Sequence, residues 1–419
     1  MKYLKKKIEV SLEETQEKEK TVREIIANVR TNKDAAVIEY NKKFDNCERK
    51  NLLVIQEEIE EAYKKVDAQL IEDIKKSAEN VKKFAVEQKN SMREISDFEI
   101  VPGVFLGHRI IPIQNIGCYI PGGSYPLYST AIMLVVPARV AGVKRIAACA
   151  PPMKGTDKIH PSTLVALDIA GADEIYTVGG VQSIAALAYG TEQIKAVDKI
   201  VGPGNQFVTE AKRQCFGQIG IDFIAGPSEV LIIADETGNV EYIAADILAQ
   251  CEHDYKARGI LITTDEDLGK RVIKEVEEQL KDLSTREIAE VSWMDNGEVI
   301  VVKSLNSAYE MANDYAPEHL EIHVTNEREA VEKLINYGSL FIGQNAAEVF
   351  GDYISGTNHT LPTVRAARYT GGVSVATFTK TVTHQKMTEE GIKNIGEIAE
   401  RMAIGEDLIA HAKAARKRL

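Results

Sequence analysis

From about residue 110 onward, short apolar runs alternate with longer amphipathic stretches. Each apolar run has the length of a strand and ends in Gly or Pro, whereas the stretches between the runs repeat apolar residues at helical spacing. One helix between successive strands is the connection found between parallel strands, and it covers the faces of the sheet. The sequence therefore predicts an α/β fold.

The alternation occurs twice along the chain. In the first unit the predicted strands are Gly117–Ile120, Arg145–Ala150, Glu174–Val178, Lys199–Val201 and Asp222–Ile224, and the predicted helices are Thr130–Val140, Pro161–Ala170, Gln182–Tyr189 and Gln206–Cys215. In the second unit the predicted strands are Val230–Ala234, Gly259–Thr263, Val299–Val302, Glu321–Val324 and Ser339–Ile342, and the predicted helices are Val240–His253, Asp267–Leu280, Leu305–Tyr315 and Glu327–Tyr337. Two such units predict two doubly wound Rossmann-like domains.

The 419 residues exceed what one hydrophobic core usually serves, so several structural units are expected. Residues 1–110 are predicted to form an N-terminal helical segment, with helices at Glu13–Val29 and Ile55–Val86, that packs on the second domain. Residues 111–226 and 227–345 are predicted to be the Rossmann-like domains. Residues 346–419 are predicted to hold a loop, a hairpin at GGVSVATFTKTVT and a polar helical tail, which we expect to reach a partner subunit because it can bury little surface alone.

Composition argues against several classes of protein. The 51 basic and 63 acidic residues give a net charge of −12, which disfavours a nucleic-acid partner. The longest apolar region, Ala131–Val143, contains Pro137 and Arg139 and is too short to span a membrane, and the first residues lack the apolar stretch of a signal peptide. Five cysteines without pair spacing are typical of reduced thiols, so we expect a cytoplasmic protein.

Three glycine-containing turns follow predicted strands of the first unit. They are Cys118–Ser124, Gly179-Gly180 and Gly202-Pro203-Gly204-Asn205. Any one of them alone is most simply a tight turn, but three at the carboxyl edge of one sheet indicate a ligand site, because open α/β sheets bind ligands there. The G-x-G-x-x-G fingerprint is missing, so a nucleotide would be held in a non-standard way.

A helix of the second unit carries a candidate metal-binding face. Asp246, Gln250 and His253 recur at i, i+4 and i+7, so they share one face, and Gln250 and His253 project from its last turns. A Gln and a His together can ligate a divalent ion. A His at a helix end is also common as a residue satisfied by the helix dipole, and two ligands alone do not make a site.

Three later segments carry polar groups typical of an active site. Glu318 and His319 are adjacent in a loop held by a proline, and they could supply two proton-transfer groups to one cavity. The loop that follows Asp352 contains His359 and is of the polar kind that often carries function. His411 lies with Glu406 on the terminal helix, where both would face solvent in an isolated chain.

Taken in order, these segments resemble the signature of the histidinol dehydrogenase family. The blocks are AGPSEVLIIAD, DILAQCEH, APEHLE, GDY followed by SGTNHTLPT, and EDLIAH, and the segments GCYIPGG, VGGVQSIAALAYGT and VGPGNQFVTEAKR resemble the cofactor half of that family. The resemblance extends from about residue 110 to the end and, more loosely, through the N-terminal helices. The combination of Gly-Pro-Ser-Glu with Gln-Cys-Glu-His is highly specific.

The resemblance implies a homodimer of histidine biosynthesis that oxidises the alcohol of L-histidinol to the carboxylate of L-histidine, through the aldehyde, with two NAD and one Zn²⁺ per subunit. By position, Glu318 and His319 match the proton-transfer residues; Gln250, His253 and Asp352 match metal ligands, and His411 the ligand supplied by the partner subunit. Ser228, His359 and Glu406, together with His319 and the four metal ligands, match positions that contact substrate, and Tyr119, Gln182 and Asn205 match positions that contact NAD.

Two departures from the family pattern leave the substrate open. Asp407 stands where the family usually has Gly, and segment 369–385 differs from that of the usual biosynthetic enzyme. This variant, together with SGTNH and VGPGNQFV, is similar to paralogues such as the sulfopropanediol 3-dehydrogenases, which carry out the same two-step oxidation on another small alcohol, 2,3-dihydroxypropane-1-sulfonate, whereas AGPSE favours the histidinol type. Further alternatives are a thiohemiacetal mechanism on Cys118 or Cys251, a nucleotide-binding protein without catalysis, and a metallohydrolase.

Overall fold

Two sheets, each covered by helices on both faces, form the body of the protein in a computed structural model that describes residues 1–7, 15–122, 125–224 and 226–419. The N-terminal part contains β1 (Lys2–Lys5), α1 (Thr15–Asp45), α2 (Gln56–Lys65), α3 (Ala68–Asn90), β2 (Ile95–Val101) and β3 (Val104–Pro112). The first α/β unit contains β4 (Asn115–Tyr119), α4 (Tyr128–Ala141), β5 (Arg145–Ala150), α5 (Pro161–Ala170), β6 (Glu174–Thr177), α6 (Gly180–Tyr189), β7 (Lys199–Val201), α7 (Gln206–Cys215) and β8 (Gly220–Ile221).

The second unit and the tail complete the chain. They contain β9 (Glu229–Ala234), α8 (Val240–Cys251), β10 (Arg258–Thr263), α9 (Glu266–Gln279), α10 (Arg286–Asn296), β11 (Glu298–Val301), α11 (Leu305–Tyr315), β12 (His319–His323), α12 (Glu327–Lys333), β13 (Ser339–Ile342), α13 (Glu348–Tyr353), β14 (Thr379–Met387), α14 (Glu389–Gly405) and α15 (Ile409–Arg416). Within the described residues, no helix has both the length and the apolar character needed to cross a membrane.

The two sheets share one topology. The first has the order β6-β5-β4-β7-β8, and the second has β11-β10-β9-β12-β13 with β1 added antiparallel at its edge. Relative to its own first strand, each sheet therefore has the order 3-2-1-4-5, and all pairs apart from the one with β1 are parallel. The predicted fold class, two doubly wound Rossmann-like units with a helical tail, is confirmed.

Apolar strand residues explain why helices cover both faces. Every residue of β9 is buried, and the run Val230–Ile233 sends alternate side chains to opposite faces of the sheet. Val230 and Ile232 belong to one apolar cluster, whereas Leu231 and Ile233 belong to another. The first sheet likewise separates two clusters.

The prediction that the N-terminal segment packs on the second domain is wrong. Helix α1 packs on α6 and α7, and α2 and α3 pack on α4 and α5, all in the first unit. The reason is that apolar residues of α1 such as Val22 and Val29 fall in one cluster with Ile184 and Leu187 of α6. In this segment it is β1 that joins the second sheet, by pairing with β11.

The same segment is not wholly helical, and its predicted helices have different limits. Residues of β2 and β3 form strands, and the predicted helix Ile55–Val86 is divided in two because Asp67 caps α3 through the amides of Gln69 and Leu70. Helix α1 continues beyond the predicted end at Val29, and the start predicted at Glu13 lies outside the described residues.

Three other predicted elements differ from the structure. The hairpin at residues 371–383 is absent, because β14 pairs along its full length with β3, far away in sequence, in a sheet of order β14-β3-β2. The strand expected at Asp222–Ile224 lies earlier, at Gly220–Ile221. Helix α12 ends at Lys333 instead of Tyr337, because the amides of Ile335 and Asn336 donate to the side chain of Asn313.

Candidate active site

Buried polar side chains meet where the amino ends of β9 and β12 approach the end of α8 and the short helix α13. Ser228 precedes β9, and Gln250 lies in the last turn of α8. Glu318 lies in the predicted loop, whereas His319 is already the first residue of β12. Because β9 and β12 are neighbouring parallel strands, their amino ends lie side by side. The sheet thus brings together residues that are far apart in sequence.

Glu318 is buried and surrounded by groups that oppose its ionisation. Burial raises the pKa of its carboxyl well above the ordinary value, and the nearby charges of Glu229 and Asp352 raise the pKa further. Hydrogen bonds from the Glu229 amide, at 3.0 Å from Oε2, and from the Ser228 side chain oppose this shift only in part. Glu318 therefore holds a proton unusually strongly, and it is a strong base once ionised.

His319 has the opposite protonation preference. Its Nδ1 lies 3.2 Å from the Glu229 carbonyl oxygen, which can only accept, so we assign the ring proton to Nδ1. The Nε2 atom is then a buried acceptor with no hydrogen-bond partner. Burial lowers the pKa of His319 to about 3, so the ring is neutral at pH 7 and the lone pair of Nε2 is free.

Gln250, Glu348 and Asp352 lie next to His319 and complete this cluster of polar side chains. One atom of the Gln250 side-chain amide lies 3.0 Å from His319 Nδ1. The same atom lies 3.0 and 3.2 Å from the two carboxyl oxygens of Glu348. Ligating atoms of His319, Glu348 and Asp352 all lie within 4.8 Å of one another. Glu348 was not predicted, although it precedes Asp352 by four residues on α13 and thus shares its helix face.

His253 and His359 border the cluster. His253 lies two residues beyond the end of α8 and is exposed. Desolvation by the surrounding residues lowers its pKa below the ordinary value, and the Asp352 carboxylate opposes this shift only in part. The Nδ1 atom of His359 lies 3.0 Å from the Asp352 carbonyl oxygen, and burial lowers the pKa of His359 to about 4. Gln250, His253 and Asp352, predicted as one ligand set, are thus brought to one place by the fold.

The cluster has the chemistry of a divalent-cation site. The carboxyls of Glu318, Glu348 and Asp352 all have raised pKa values, with desolvation as the first cause. Among the described residues, no lysine or arginine forms an ion pair with any of the three. Imidazole, amide and carboxylate groups that lack a positively charged partner suit Zn²⁺.

Replacing Asp352 by Asn should stabilise the cation-free protein at pH 8. Burial raises the pKa of Asp352 to about 6, so the folded protein favours the protonated carboxyl. The free energy of unfolding therefore falls as pH rises from the unfolded pKa of this group through 6, and at pH 8 the whole cost of ionisation is present. The amide has no such cost, so the free energy of unfolding should increase by about 1–3 kcal/mol. Urea unfolding with a chelator present measures it, and equal stability of both proteins at pH 8 would contradict the assignment. The wild type should recover its deficit when Zn²⁺ is added, whereas Asp352→Asn should not.

The described parts of the three turns of the first unit converge, as predicted, at the carboxyl edge of its sheet; Gly123 and Ser124 of the first turn lie outside the described residues. A Cβ on Gly122 or Gly179 would collide with Pro151, and one on Gly202 would lie 2.2 Å from the Tyr119 carbonyl oxygen. The edge coincides with the point between β4 and β7 where the strand order reverses, at which such sheets bind ligands. The close contacts explain why glycine occupies these positions.

The predicted cofactor residues lie around these turns with different exposure. Tyr119 is buried, and its hydroxyl accepts the Gly180 amide at 3.4 Å. Asn205 is exposed and caps α7 through the amides of Phe207 and Val208. Gln182 is buried and donates to Asn41 at 3.2 Å, and its side chain lies against Gly180 of the second turn.

A buried ion pair that the sequence did not indicate fixes the third turn. Lys212 of α7 pairs with Asp222, and both side chains are almost fully buried. Lys212 also donates to the Gly202 carbonyl at 2.8 Å, and Asp222 accepts the Gly202 amide at 2.8 Å. Asp222 therefore leaves the expected strand to hold this turn.

The terminal residues lie away from the rest of the site within this chain. Helix α15 packs on α14, and both Glu406 and His411 are exposed. Asp407 has a φ of 58°, the left-handed conformation that favours glycine. The residue that departs from the family pattern thus keeps the backbone shape that glycine would supply.

Comparison with known proteins agrees with this architecture. The family model described as histidinol dehydrogenase matches residues 9–419. The histidinol dehydrogenase of Bacillus cereus is 47% identical over 396 residues, covering 94% of this chain and 91% of that protein, and a histidinol dehydrogenase homologue of Shouchella clausii is 44% identical over 401 residues, covering 96% and 94%.

A solved structure supports the same assignment. The crystal structure of histidinol dehydrogenase from Elizabethkingia anophelis matches with a TM-score of 0.92 and 41% identity, covering 99% of this chain and 94% of that one. A match of this extent includes both α/β units and the tail. The chain belongs to the histidinol dehydrogenase family.

Proposed function

We propose that this protein is an NAD-linked, zinc-dependent alcohol dehydrogenase that oxidises L-histidinol to L-histidine through the aldehyde. The observation that carries the proposal is a buried pair of proton-transfer groups, Glu318 and His319, beside a cluster suited to a cation. Their surroundings shift the two pKa values in opposite directions, up for Glu318 and down for His319. Pairs of titratable groups whose surroundings separate their pKa values are typical of acid-base sites. Family membership supports the same reaction.

His319 and Glu318 are assigned to successive steps. In the first, His319 Nε2 accepts the alcohol proton, while bound NAD serves as the hydride acceptor. In the second, ionised Glu318 accepts a proton from the water that adds to the aldehyde. One alcohol and one water thus give one carboxylate, two NADH and three protons, which accounts for the four electrons.

Gln250, His253 and Asp352 would hold the zinc ion, with Glu348 beside them. When bound, the ion supplies a positive charge that orients the substrate amine or imidazole and polarises the alcohol oxygen. Ser228 and His359 lie at the edge of the same cluster and would contact substrate. The turns around Tyr119 and Asn205 would bind NAD, with Gln182 supporting them.

The remaining ligand, His411, would come from a partner subunit together with Glu406. Both are exposed in the chain, and the tail also exposes apolar residues such as Met402 and Ile409. Apolar surface of this kind on a polar tail favours contact with another chain. We therefore propose a homodimer whose tails are exchanged.

The acidic character of the site favours histidinol over a sulfonate. A positive charge beside Glu318, Glu348 and Asp352 would favour the ionised form of these buried carboxyls, whereas the negative charge of a sulfonate would oppose it, and among the described residues no arginine or lysine is paired to them. The paralogue reaction on 2,3-dihydroxypropane-1-sulfonate is therefore the second candidate, suggested by segment 369–385.

A substrate panel tests the proposal. Purified protein with Zn²⁺ and NAD should release two NADH per L-histidinol consumed, measured by absorbance, and should leave dihydroxypropanesulfonate unchanged. One NADH with free aldehyde accumulating would contradict the four-electron reaction. Turnover of the sulfonate with none of histidinol would establish the paralogue function instead.

Replacing both Cys118 and Cys251 by Ala should leave most activity intact. Both thiols are buried; burial raises the pKa of Cys251 to about 11 and that of Cys118 higher still, so neither supplies a thiolate at pH 7. We expect kcat within about threefold of the wild type and a modest loss of stability from the small cavities. A kcat at background level in the folded double variant would favour the thiohemiacetal mechanism.

A further inference from the structure

A second buried polar cluster lies directly behind the candidate active site. It consists of Asp246, Glu321 and His323, whose ligating atoms all lie within 4.8 Å of one another. Glu321 and His323 are almost completely buried, and Glu321 Oε2 has no hydrogen-bond partner of the usual donor kind. Nothing in the proposed reaction uses these side chains, yet burying carboxyls is costly. The ring nitrogen Nε2 of His323 lies 3.6 Å from Glu321 Oε2.

Each acidic member of this cluster belongs to an element that supplies the active site. Asp246 lies on α8 one turn before Gln250 and shares its face. Glu321 lies on β12 two residues after His319, so both side chains point to the same side of the sheet. The cluster therefore sits beneath the two elements that position Gln250 and His319.

Hydrogen bonds extend the connection to a third element. Glu321 Oε1 accepts the amide of Glu348, the first residue of α13, at 2.9 Å. The carboxyls of Asp246 and Glu321 also have oxygens within 4.8 Å of each other, and a single proton shared between them lets one carboxyl donate to the other. Burial raises the pKa of Asp246 to about 8, so a proton is available for this bond at neutral pH.

We propose that Asp246 and Glu321 are positioning residues that tie α8, β12 and α13 together and thereby set the spacing of Gln250, His319 and Asp352. The link to zinc affinity rests on the proposed function, whereas the link between elements does not. Groups that hold metal ligands in place commonly change metal affinity 10–100-fold when removed.

The test compares Asp246→Leu with Asp246→Asn. Leucine removes the hydrogen bond, whereas the Asn amide can donate to the Glu321 carboxylate without a shared proton. Hydrogen exchange of the amides at residues 346–353 in the zinc-free protein should accelerate at least about tenfold in Asp246→Leu and stay near wild type in Asp246→Asn. Zinc affinity by chelator competition should fall about tenfold or more in Asp246→Leu only.

Asp235 provides a matched control at the opposite end of β9. It is a buried aspartate hydrogen-bonded to Thr237 and to the amide of Thr325. Asp235→Leu should lose stability, yet keep the exchange rates at 346–353 and the zinc affinity of the wild type. If it changes both as much as Asp246→Leu does, general destabilisation explains the effect and the proposal is overturned.

Other outcomes also decide between explanations. Wild-type exchange rates at 346–353 in Asp246→Leu would overturn the positioning role. Two zinc ions per wild-type subunit, falling to one in Asp246→Asn, would show instead that the cluster is itself a cation site. If Asp246→Leu does not fold, Asp246→Ala, which leaves room for water, is measured in the same way. If the wild type binds no zinc but exchange at 346–353 is still faster in Asp246→Leu than in the wild type, the proposed function fails while the positioning role stands.

Discussion

Replacing His319 by Asn is expected to lower kcat by about a thousandfold, because in the proposed reaction it removes the proton acceptor of the first oxidation step. The Asn amide can still donate to the Glu229 carbonyl in place of Nδ1, so the packing around Gln250 should persist. The atom that is lost is Nε2, the buried acceptor without a partner. KM for the alcohol and zinc affinity should therefore change little, as steady-state kinetics and chelator competition can measure.

Two results distinguish this role from others. A tenfold or larger loss of zinc affinity in His319→Asn would mean that His319 is a metal ligand, which its position near Glu348 and Asp352 also permits. Glu318→Gln serves as the matched variant, because it keeps the hydrogen bond from the Glu229 amide but cannot act as a base. It should release the first NADH at nearly the normal rate and accumulate aldehyde, whereas His319→Asn should slow the first NADH itself.

The fold was predictable where the pattern is local. Runs such as Val230–Ile233 can be recognised because each strand is apolar along its whole length, and the following helix is amphipathic. Pairing across long distances is a different matter. Nothing near Thr379–Met387 indicates that this strand pairs with Val104–Pro112, so the local pattern predicts a hairpin instead. Similarly, the apolar face of α1 predicts a helix but not which unit it covers.

The candidate site was predictable as a set of segments rather than as a geometry. Spacing places Asp246, Gln250 and His253 on one side of a helix, but it cannot show that α8 ends beside the start of β12. The family resemblance supplied that grouping. Glu348 was missed because its segment was interpreted as a loop that begins at Gly351, whereas the chain forms a helical turn from Glu348 to Tyr353. Glu321 was missed because its neighbours along the strand are apolar.

Hybrid dimers should regain activity when one subunit carries Gln250→Ala and the other carries His411→Asn. Each variant alone should be nearly inactive, because in the proposed dimer with exchanged tails every site would lack one ligand. In a hybrid, one site combines the intact Gln250 of the second subunit with the intact His411 of the first, and the other site is doubly defective. Random pairing in an equimolar mixture would then give about one quarter of the wild-type activity.

The physical reason is the isolation of the tail within its own chain. Helix α15 packs on α14, and the His411 side chain is exposed to solvent instead of facing the candidate site of its own chain. Mixing after reversible dissociation, or coexpression with two tags and purification of the hybrid, measures the effect; the purified hybrid should have half the wild-type kcat per dimer. Two copies of Gln250→Ala mixed in the same way control for incomplete inactivation. Background activity in the purified hybrid would show that His411 acts within its own subunit, because each subunit of the hybrid then lacks one of the two residues.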